Sequence, residues 1–221
     1  MDWEALRLSL ELALWTCALL LPLGTLLARA LRALDPGPRR LVGALIALPL
    51  VLPPTVLGYY LLVTMGQTSL LGGLYARLTG SSLVFSFEGL VAASLVFNLP
   101  FAVQPLDRAF AAIPRNVREA AWVSGLSPLA TFLRIELPLA WQGVLSAFAL
   151  VFAHTLGEFG VVLMVGGAIP GETRTIAIAI YDRVQALDET SAGIMSASLL
   201  AISFATIALV YLFEPGRRRD G

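Results

Sequence analysis

The chain contains no lysine, and it has a single cysteine and a single histidine among its 221 residues. Without lysine it cannot build a P-loop around ATP phosphates or form a lysine Schiff base. One cysteine cannot close a disulfide within the chain, and Cys17 and His154 cannot supply the usual ligand set of a metal site. We therefore expect no metal site and no cofactor held by this chain itself.

Charged residues are also scarce. Only 14% of the chain is Asp, Glu, Lys or Arg, whereas 57% is hydrophobic and the mean hydropathy is +0.81. Soluble domains are typically about a quarter charged and about half apolar. So little polar surface cannot cover a soluble globule of this size, and the composition indicates an all-α integral membrane protein. Membrane lipid, and not nucleic acid, is the expected partner of its surface.

Five apolar runs are long enough to cross a bilayer, which takes about 20 helical residues. They lie at about residues 8–28, 41–65, 89–106, within 137–165, and at 191–213. Prolines predict irregular helices in the second and third runs, and Gly157 and Gly160 predict a break in the fourth. Irregular backbone is tolerated in a packed core or beside a wet cavity, which favours a transporter over a simple anchor. We treat residues 1–221 as one transmembrane domain with its membrane core at about 8–213.

The arginines are distributed unevenly between the two sides of these runs. Eleven lie after the first run, after the third run or in the tail: Arg29, Arg32, Arg39, Arg40, Arg108, Arg115, Arg118, Arg134, Arg217, Arg218 and Arg219. The four on the other side are Arg7, Arg77, Arg174 and Arg183. Because cytoplasmic connections carry the excess of basic residues, we expect the amino terminus outside and the carboxyl terminus in the cytoplasm. The expected location is the inner membrane of a prokaryote.

The connection at residues 113–138 carries the most specific pattern. Pro114 suits the first turn of a short helix, Gly125 its left-handed end, and Ser127 the start of a second helix. The spaced positions of the pattern are Glu119, Ala120, Ala121, Gly125, Ile135, Leu137 and Pro138. Two alanines let another backbone approach closely, and a carboxylate such as Glu119 can make a charge-assisted hydrogen bond to a partner. The alternative is an interfacial helix-turn-helix that binds no partner.

This pattern resembles the EAA loop of ABC importer permeases at every position and spacing. The resemblance implies a type I ABC importer permease core of about five transmembrane helices, with the short cytoplasmic helix as a coupling helix. It also implies a homodimer of this chain and two copies of a separate ATPase subunit that binds ATP and Mg. An extracytoplasmic oxyanion-binding protein completes the implied assembly. The chain itself is then a transport subunit and not an enzyme.

Three further segments narrow the resemblance. They are PPTVLGYY at residues 53–60, FAHTLGEFG at 152–160, and IPGETRTIAIAIY at 169–181. Together they resemble molybdate permeases, and the similarity runs over about residues 41–214. LGEFG is shared with sulfate and thiosulfate permeases, whereas PGETRTI with the following IAIY is more discriminating. Molybdate is the expected substrate, and tungstate, sulfate and thiosulfate are alternatives. His154 departs from the resemblance, because relatives commonly place arginine there.

The second, third and fifth runs contain no arginine. A pathway without fixed cations suggests a low-affinity passage lined by neutral groups, with selectivity held by the binding protein. The pathway or gate candidates are Thr55, Ser94, Asn98, Thr155 and Glu158. The neutral candidates can instead be helix-packing hydrogen bonders. Glu158 can instead lie at the outer interface or hold a helix break through backbone amides. A proton-coupled secondary transporter, with Glu158 or Glu88 as proton carriers, is the alternative from a different class.

The segment at residues 166–189 is expected on the extracytoplasmic side. Its apolar residues Ile176, Ile180, Val184 and Leu187 are spaced as on one helix face, which predicts an interfacial helix. The loop before this helix contains Glu172 and Arg174, which are candidates for contact with the binding protein. The alternative is a helix that only anchors this segment at the membrane surface.

Overall fold

The computed structural model describes residues 1–213, and within them the chain forms helices and no strand. The α-helices are α1 (Trp3–Ala33), α2 (Pro36–Val51), α3 (Pro54–Met65), α4 (Leu70–Thr79), α5 (Phe87–Ala112), α6 (Arg115–Val123), α7 (Pro128–Thr131), α8 (Leu137–Leu139), α9 (Trp141–Gly157), α10 (Gly160–Gly166), α11 (Ile176–Gln185) and α12 (Glu189–Phe213). A π-helical turn, Phe132–Glu136, joins α7 to α8. The predicted all-α fold class is confirmed. The arginines of the tail, which entered the orientation argument, lie outside the described residues.

Three helices are long and apolar enough to cross a membrane: Trp3–Ala33, Phe87–Ala112 and Glu189–Val210. Two bent helix pairs bring the number of possible spans to five. Helices α1, α5 and α9 pack against one another and form the centre of the molecule, and α12 covers α9 and α11. The five predicted runs therefore match the helices, although two of the runs are bent.

The second predicted run is divided into α2 and α3, which meet at an angle of 110°. Leu52 is extended, Pro53 caps α3 and Pro54 begins it. Proline lacks an amide hydrogen and disfavours helical geometry in the residue before it, so two adjacent prolines end α2. The prolines produce the irregularity that the sequence predicted, in the form of a sharp bend.

In the third run, α5 continues through Pro100 and Pro105 as a single helix. An interior proline costs a helix about 3 kcal/mol. Helix α5 is packed closely on both sides. A Cβ placed on Gly143 of α9 lies only 2.3 Å from the Cβ of Ala109 in α5. On the other side, a Cβ on Gly24 of α1 lies 3.0 Å from the Cβ of Ala102.

The fourth run breaks where the glycines predicted. Helix α9 ends at Gly157 and α10 begins at Gly160, so this prediction is confirmed. A second bend, which was not predicted, separates Pro128–Leu139 from Trp141–Gly157 by 68°. The short helix α10 then packs against α3.

The apolar stripe predicted for α11 is divided between protein and surface. Ile176 is buried in the protein together with Ile178 and Ala179, whereas Val184 and Leu187 are exposed. The helix packs against α1 and α12. Protein contacts therefore select the buried face of its first half, and the predicted lipid-facing stripe is not continuous.

Candidate functional site

The loop with the EAA pattern forms the predicted helix, tight turn and second helix. Helix α6 ends in a left-handed Gly125 with φ of 82°. The Gly125 N–H donates to the Trp122 carbonyl at 3.0 Å, and the Leu126 N–H donates to the Ala121 carbonyl at 3.1 Å. These two bonds form a Schellman motif, in which a left-handed residue closes the helix. The local geometry is therefore confirmed, and Gly125 is required by its backbone conformation.

The second helix of this loop begins as predicted. Ser127 Oγ accepts a hydrogen bond from the Ala130 N–H at 3.2 Å, and Pro128 occupies the first helical position. The chain then widens into the π-helical turn before it enters the membrane core. Single π turns inside helices often mark functional sites. Ile135 and Leu137 are half-buried along this stretch, and Pro138 is exposed.

Helix α6 presents an exposed surface at one end of the molecule. Glu119 and Ala120 are exposed, whereas Ala121 is buried and holds the helix to the protein. The Glu119 carboxylate accepts a hydrogen bond from Arg115 Nε at 2.8 Å. Large apolar side chains of the same loop are also exposed: Trp122, Val123, Leu129 and Leu133. An exposed apolar surface that also carries a carboxylate is suited to binding another protein.

A buried ion cluster fixes this loop to the membrane core. Glu136 of the π turn pairs with Arg118 of α6 and lies 3.5 Å from Arg29 of α1. Arg118 also donates to the Phe110 carbonyl at the end of α5, at 2.9 Å. The Arg29 guanidinium lies over the Phe132 ring at 4.5 Å. Sequence reasoning missed Glu136, although an acidic residue inside the apolar stretch from 135 to 139 was an available signal.

A second ion cluster lies beside the first. Arg39 Nη2 of α2 donates to both carboxylate oxygens of Asp107 at 3.1 Å, and Arg32 of α1 lies 3.7 Å from the same carboxylate. Together the two clusters bring the arginines after the first run to the same end of the molecule as α6. This is the grouping on which the orientation argument depends.

A polar network in the centre of the molecule joins three of the pathway candidates. The Asn98 amide donates to Thr155 Oγ1 at 2.9 Å and to Ser94 Oγ at 3.2 Å. Thr16 of α1 donates to Ser94 Oγ at 2.9 Å, so the network links α1, α5 and α9. The Asn98 carbonyl oxygen lies 3.0 Å from His154 Nδ1. Ser94, Asn98 and Thr155 are closed off from the surface of a single protomer, in the manner of helix-packing hydrogen bonders.

The orientation of the Asn98 side chain determines the tautomer of His154. The Asn98 NH₂ group also donates to the Ser94 backbone carbonyl at 3.0 Å, which can only accept, so the Asn98 carbonyl oxygen faces the imidazole as an acceptor. His154 Nδ1 must therefore carry the hydrogen. The imidazole is held between two aromatic rings, with 4.1 Å between its centroid and that of Phe101 and 5.5 Å to that of Phe97.

The structure does not bring the remaining two pathway candidates into this network. Thr55 is exposed in the first turn of α3, directly after the bend. Glu158 is buried in the break between α9 and α10, where its Oε1 accepts a hydrogen bond from the Val161 N–H at 2.9 Å. Glu158 thus caps α10, which is one of the two structural roles considered for it.

The opposite end of the molecule holds the two candidates for contact with a binding protein. Arg174 lies 3.0 Å from Asp182 and 3.6 Å from Asp2, so both of its neighbours are carboxylates of the same chain. Glu172 is exposed and lines a cavity of about 410 Å³ together with Glu4, Glu11 and Glu88. Glu172 is thus accessible to a partner, whereas Arg174 is held within the chain.

The fold defines the class of protein. The chain resembles a bacterial alginate ABC transporter solved in complex with an alginate pentasaccharide-bound periplasmic protein, with a TM-score of 0.74 and 17% identity. That similarity covers 94% of this chain and 76% of the solved chain. The architecture is that of the membrane permeases of ABC importers, with the type I fold.

Sequence comparison gives the family. The model of the binding-protein-dependent transport system inner membrane component matches residues 20–219, and the chain belongs to this family. It is 47% identical to the molybdenum transport system permease protein ModB of Azotobacter vinelandii, over 95% of this chain and 93% of the relative. It is 30% identical to the sulfate transport system permease protein CysT of Synechocystis sp., over 89% of this chain and 68% of the relative. The predicted resemblance to oxyanion permeases is confirmed.

Proposed function

We propose that this chain is the permease subunit of an ATP-driven importer of molybdate. The observation that carries the proposal is the 47% identity, over nearly the full length of both chains, to a permease named for molybdenum transport. The exposed surface of α6 supports coupling to another protein. Sulfate permeases are more distant, at 30% identity, so sulfate and thiosulfate are the weaker alternatives. Tungstate has the same tetrahedral shape as molybdate and stays an alternative substrate.

The charge of the substrate supports an energy-coupled mechanism. Molybdate is a dianion, and moving two negative charges into a cell that is negative inside costs about 4.6 kcal/mol per 100 mV. Uptake of a scarce oxyanion therefore requires a coupled energy source. This chain has no lysine for a P-loop, so we assign ATP and Mg binding to a separate ATPase subunit.

We assign the ATPase contact to α6 and the segment that follows it. Glu119 is exposed on α6, where it can exchange Arg115 for a cation or amide of the ATPase. Gly125 sets the angle between the two helices of the loop. Glu136 and its arginines transmit movement of α6 to α1 and α5, because separating the buried Glu136 carboxylate from Arg118 is costly.

The bend between α2 and α3 supports a homodimer with two ATPase copies. A bend exposes backbone polar groups, and lipid cannot hydrogen-bond them. The bend must therefore face protein or a water-filled passage, and a second copy of this chain supplies both. Helix α12, in contrast, is uninterrupted and its apolar window is only 11% buried, as expected of a lipid-facing helix. We place the passage between the two copies, beside Thr55.

The remaining assignments follow from this arrangement. Ser94, Asn98 and Thr155 position His154 and hold α1, α5 and α9 together beside the passage. Glu158 maintains the helix break. The end that carries α6 faces the cytoplasm, which places the amino terminus outside. The outer loop, through Glu172, contacts an extracytoplasmic oxyanion-binding protein.

Uptake measurements test this proposal. Cells with and without the gene are compared for uptake of nanomolar molybdate, with excess tungstate or sulfate as competitor. We expect deletion to abolish uptake, and tungstate but not sulfate to compete in the parent strain. Undiminished molybdate uptake together with lost sulfate uptake would overturn the substrate and leave the permease assignment in place.

A further inference from the structure

A polar cavity of about 270 Å³ lies between the membrane core and α6. Its main lining residues are Arg29 and Arg32 of α1, Phe110 of α5, Arg118 and Trp122 of α6, and Glu136 of the π turn. The cavity therefore touches both the end of α1 and the helix to which we assign the ATPase contact. A ligand in this position would contact two elements that must move relative to each other during coupling.

The charges around the cavity are not balanced. Three arginines, at positions 29, 32 and 118, line the cavity, and Glu136 is the one carboxylate among its described lining residues. The neighbouring ion pair of Arg39 and Asp107 leaves this difference unchanged. Partly buried charges are normally paired, because removing them from water is costly. The excess of two positive charges therefore favours the entry of an anion.

Arg32 is the side chain best placed to bind that anion. Its side chain is only 25% exposed, and its nearest carboxylate, Asp107, is 3.7 Å away. Both oxygens of Asp107 accept hydrogen bonds from Arg39 instead. Within residues 1–213 the Arg32 guanidinium donates no hydrogen bond, although it carries five N–H groups. Arg118, in contrast, already donates to Glu136 and to a backbone carbonyl.

We propose that this cavity binds a tetrahedral oxyanion, with Arg32 as its principal hydrogen-bond donor. The anion is either the phosphate of an anionic lipid headgroup or a free dianion from the adjoining solution. A five-atom oxyanion occupies about the volume of three water molecules, roughly 90 Å³, so the cavity accommodates it. The planar fork of arginine binds such oxyanions in a bidentate manner. The site is independent of which ion the importer carries.

Binding at this site is expected to restrain α6. An anion held by Arg32 of α1 also lies beside Arg118 and Trp122 of α6, and it reinforces the ion cluster at Glu136. Occupancy therefore changes how readily α6 shifts against the end of α1. The consequence is a regulatory effect of the anion on the ATP hydrolysis of the whole assembly.

The test uses the permease–ATPase assembly in phosphatidylcholine nanodiscs. In one arm, phosphatidylglycerol is added to the nanodiscs and retained lipid is counted by native mass spectrometry. In the other arm, binding of labelled orthophosphate is measured by equilibrium dialysis. Each arm compares the parent with Arg32→Gln and with the control Arg108→Gln. Arg108 is exposed and forms no ion pair within the described chain, and it lies near the carboxyl end of α5, as does the cavity-lining Phe110.

We expect Arg32→Gln to weaken binding about tenfold, because it removes a charged donor, and Arg108→Gln to leave binding unchanged. A loss in the lipid arm identifies a headgroup as the ligand, and a loss in the phosphate arm identifies a free anion. The proposal is overturned if Arg32→Gln binds both probes as well as the parent does. It is also overturned if both variants lose binding equally, or if neither probe binds because a carboxylate of the ATPase fills the cavity.

Discussion

Glu158 is the residue whose chemistry separates a coupled permease from a proton carrier. Its carboxylate caps α10 through the Val161 N–H, and a glutamine side chain retains an oxygen that can accept the same bond. We expect Glu158→Gln to keep molybdate uptake near the parent level. Glu158→Ala removes the acceptor and is expected to destabilise the protein by about 1 kcal/mol. Uptake and thermal unfolding of both variants are the measurements.

The same pair of variants tests the alternative class. A secondary transporter that carries protons on Glu158 requires an ionisable group, so glutamine would abolish its transport as completely as alanine. Uptake that survives in Glu158→Gln and needs ATP excludes that mechanism. Abolished uptake with unchanged unfolding in Glu158→Gln contradicts the capping role.

Asn98 lies at the centre of the polar network. Substituting it tests whether the network holds the helices together or lines the substrate pathway. Asn98→Leu keeps the volume but leaves His154, Ser94 and Thr155 without a shared partner. We expect a loss of about 2 kcal/mol in stability, read as a lower midpoint of thermal unfolding of the purified assembly. At temperatures below that midpoint, the molybdate concentration that gives half-maximal uptake should equal that of the parent.

The matched control for Asn98 is Thr206→Val in α12. Thr206 donates only within its own helix, to the Ile202 carbonyl at 2.9 Å, so its loss is expected to cost no more than about 0.5 kcal/mol. A large change in half-saturation in Asn98→Leu, without a change in stability, would indicate contact with the substrate and contradict the packing role.

At the scale of single elements, α6 makes the most direct prediction. Glu119→Arg places a second cation beside Arg115 on the exposed surface of α6. We expect this variant to lose copurification with the ATPase subunit and to lose uptake, while the membrane fold is retained. Because Glu119 is exposed and paired only with an exposed arginine, its reversal costs the permease itself little stability. Copurification and size-exclusion elution in detergent are the measurements.

Asp35→Arg is the control for that reversal. Asp35 is exposed at the same end of the molecule as α6. It occupies the N-cap position of α2, but its side chain makes no capping hydrogen bond. We expect it to retain the ATPase. Normal copurification and uptake in Glu119→Arg would show that the loop is an interfacial helix-turn-helix without this partner.

Local chemistry explains why this element could be predicted from the sequence. The start and end of α6 depend on Pro114 and Gly125, and the start of α7 depends on Ser127, all within a few residues of the bonds that they determine. The ion cluster that fixes the loop could not be predicted in the same way. Its pair of Arg29 and Glu136 joins residues that are distant in sequence and meet only in the folded chain.

The same distinction applies to helix faces and bends. The i, i+4 spacing of α11 predicted one stripe facing lipid. Contacts with α1 and α12 bury Ile176 of that stripe together with Ile178 and Ala179, and the exposed part of the stripe is Val184 and Leu187. Proline positions predicted irregularity in two runs. The prolines divide the second run into two helices, whereas α5 continues as a single helix. In α5 the close packing of Gly24 and Gly143 on either side outweighs the preference of proline. Periodicity reports local preference, whereas tertiary packing decides the outcome.

At the scale of the whole molecule, the proposed position of the passage depends on the bend between α2 and α3. Lipid cannot satisfy the backbone groups at such a bend, and on that ground we proposed that it borders a second copy and the passage. A cysteine at Thr55 tests this placement, in a background where the buried Cys17 is replaced by alanine. Charged thiosulfonate reagents react with thiolates, which form only in water, so we expect Thr55→Cys to be labelled and its labelling to change with ATP. Phe204→Cys, on the exposed apolar face of α12, should stay unlabelled because lipid covers it. The reverse pattern, with Phe204→Cys labelled and Thr55→Cys protected with and without ATP, would place the passage on the other side of the molecule.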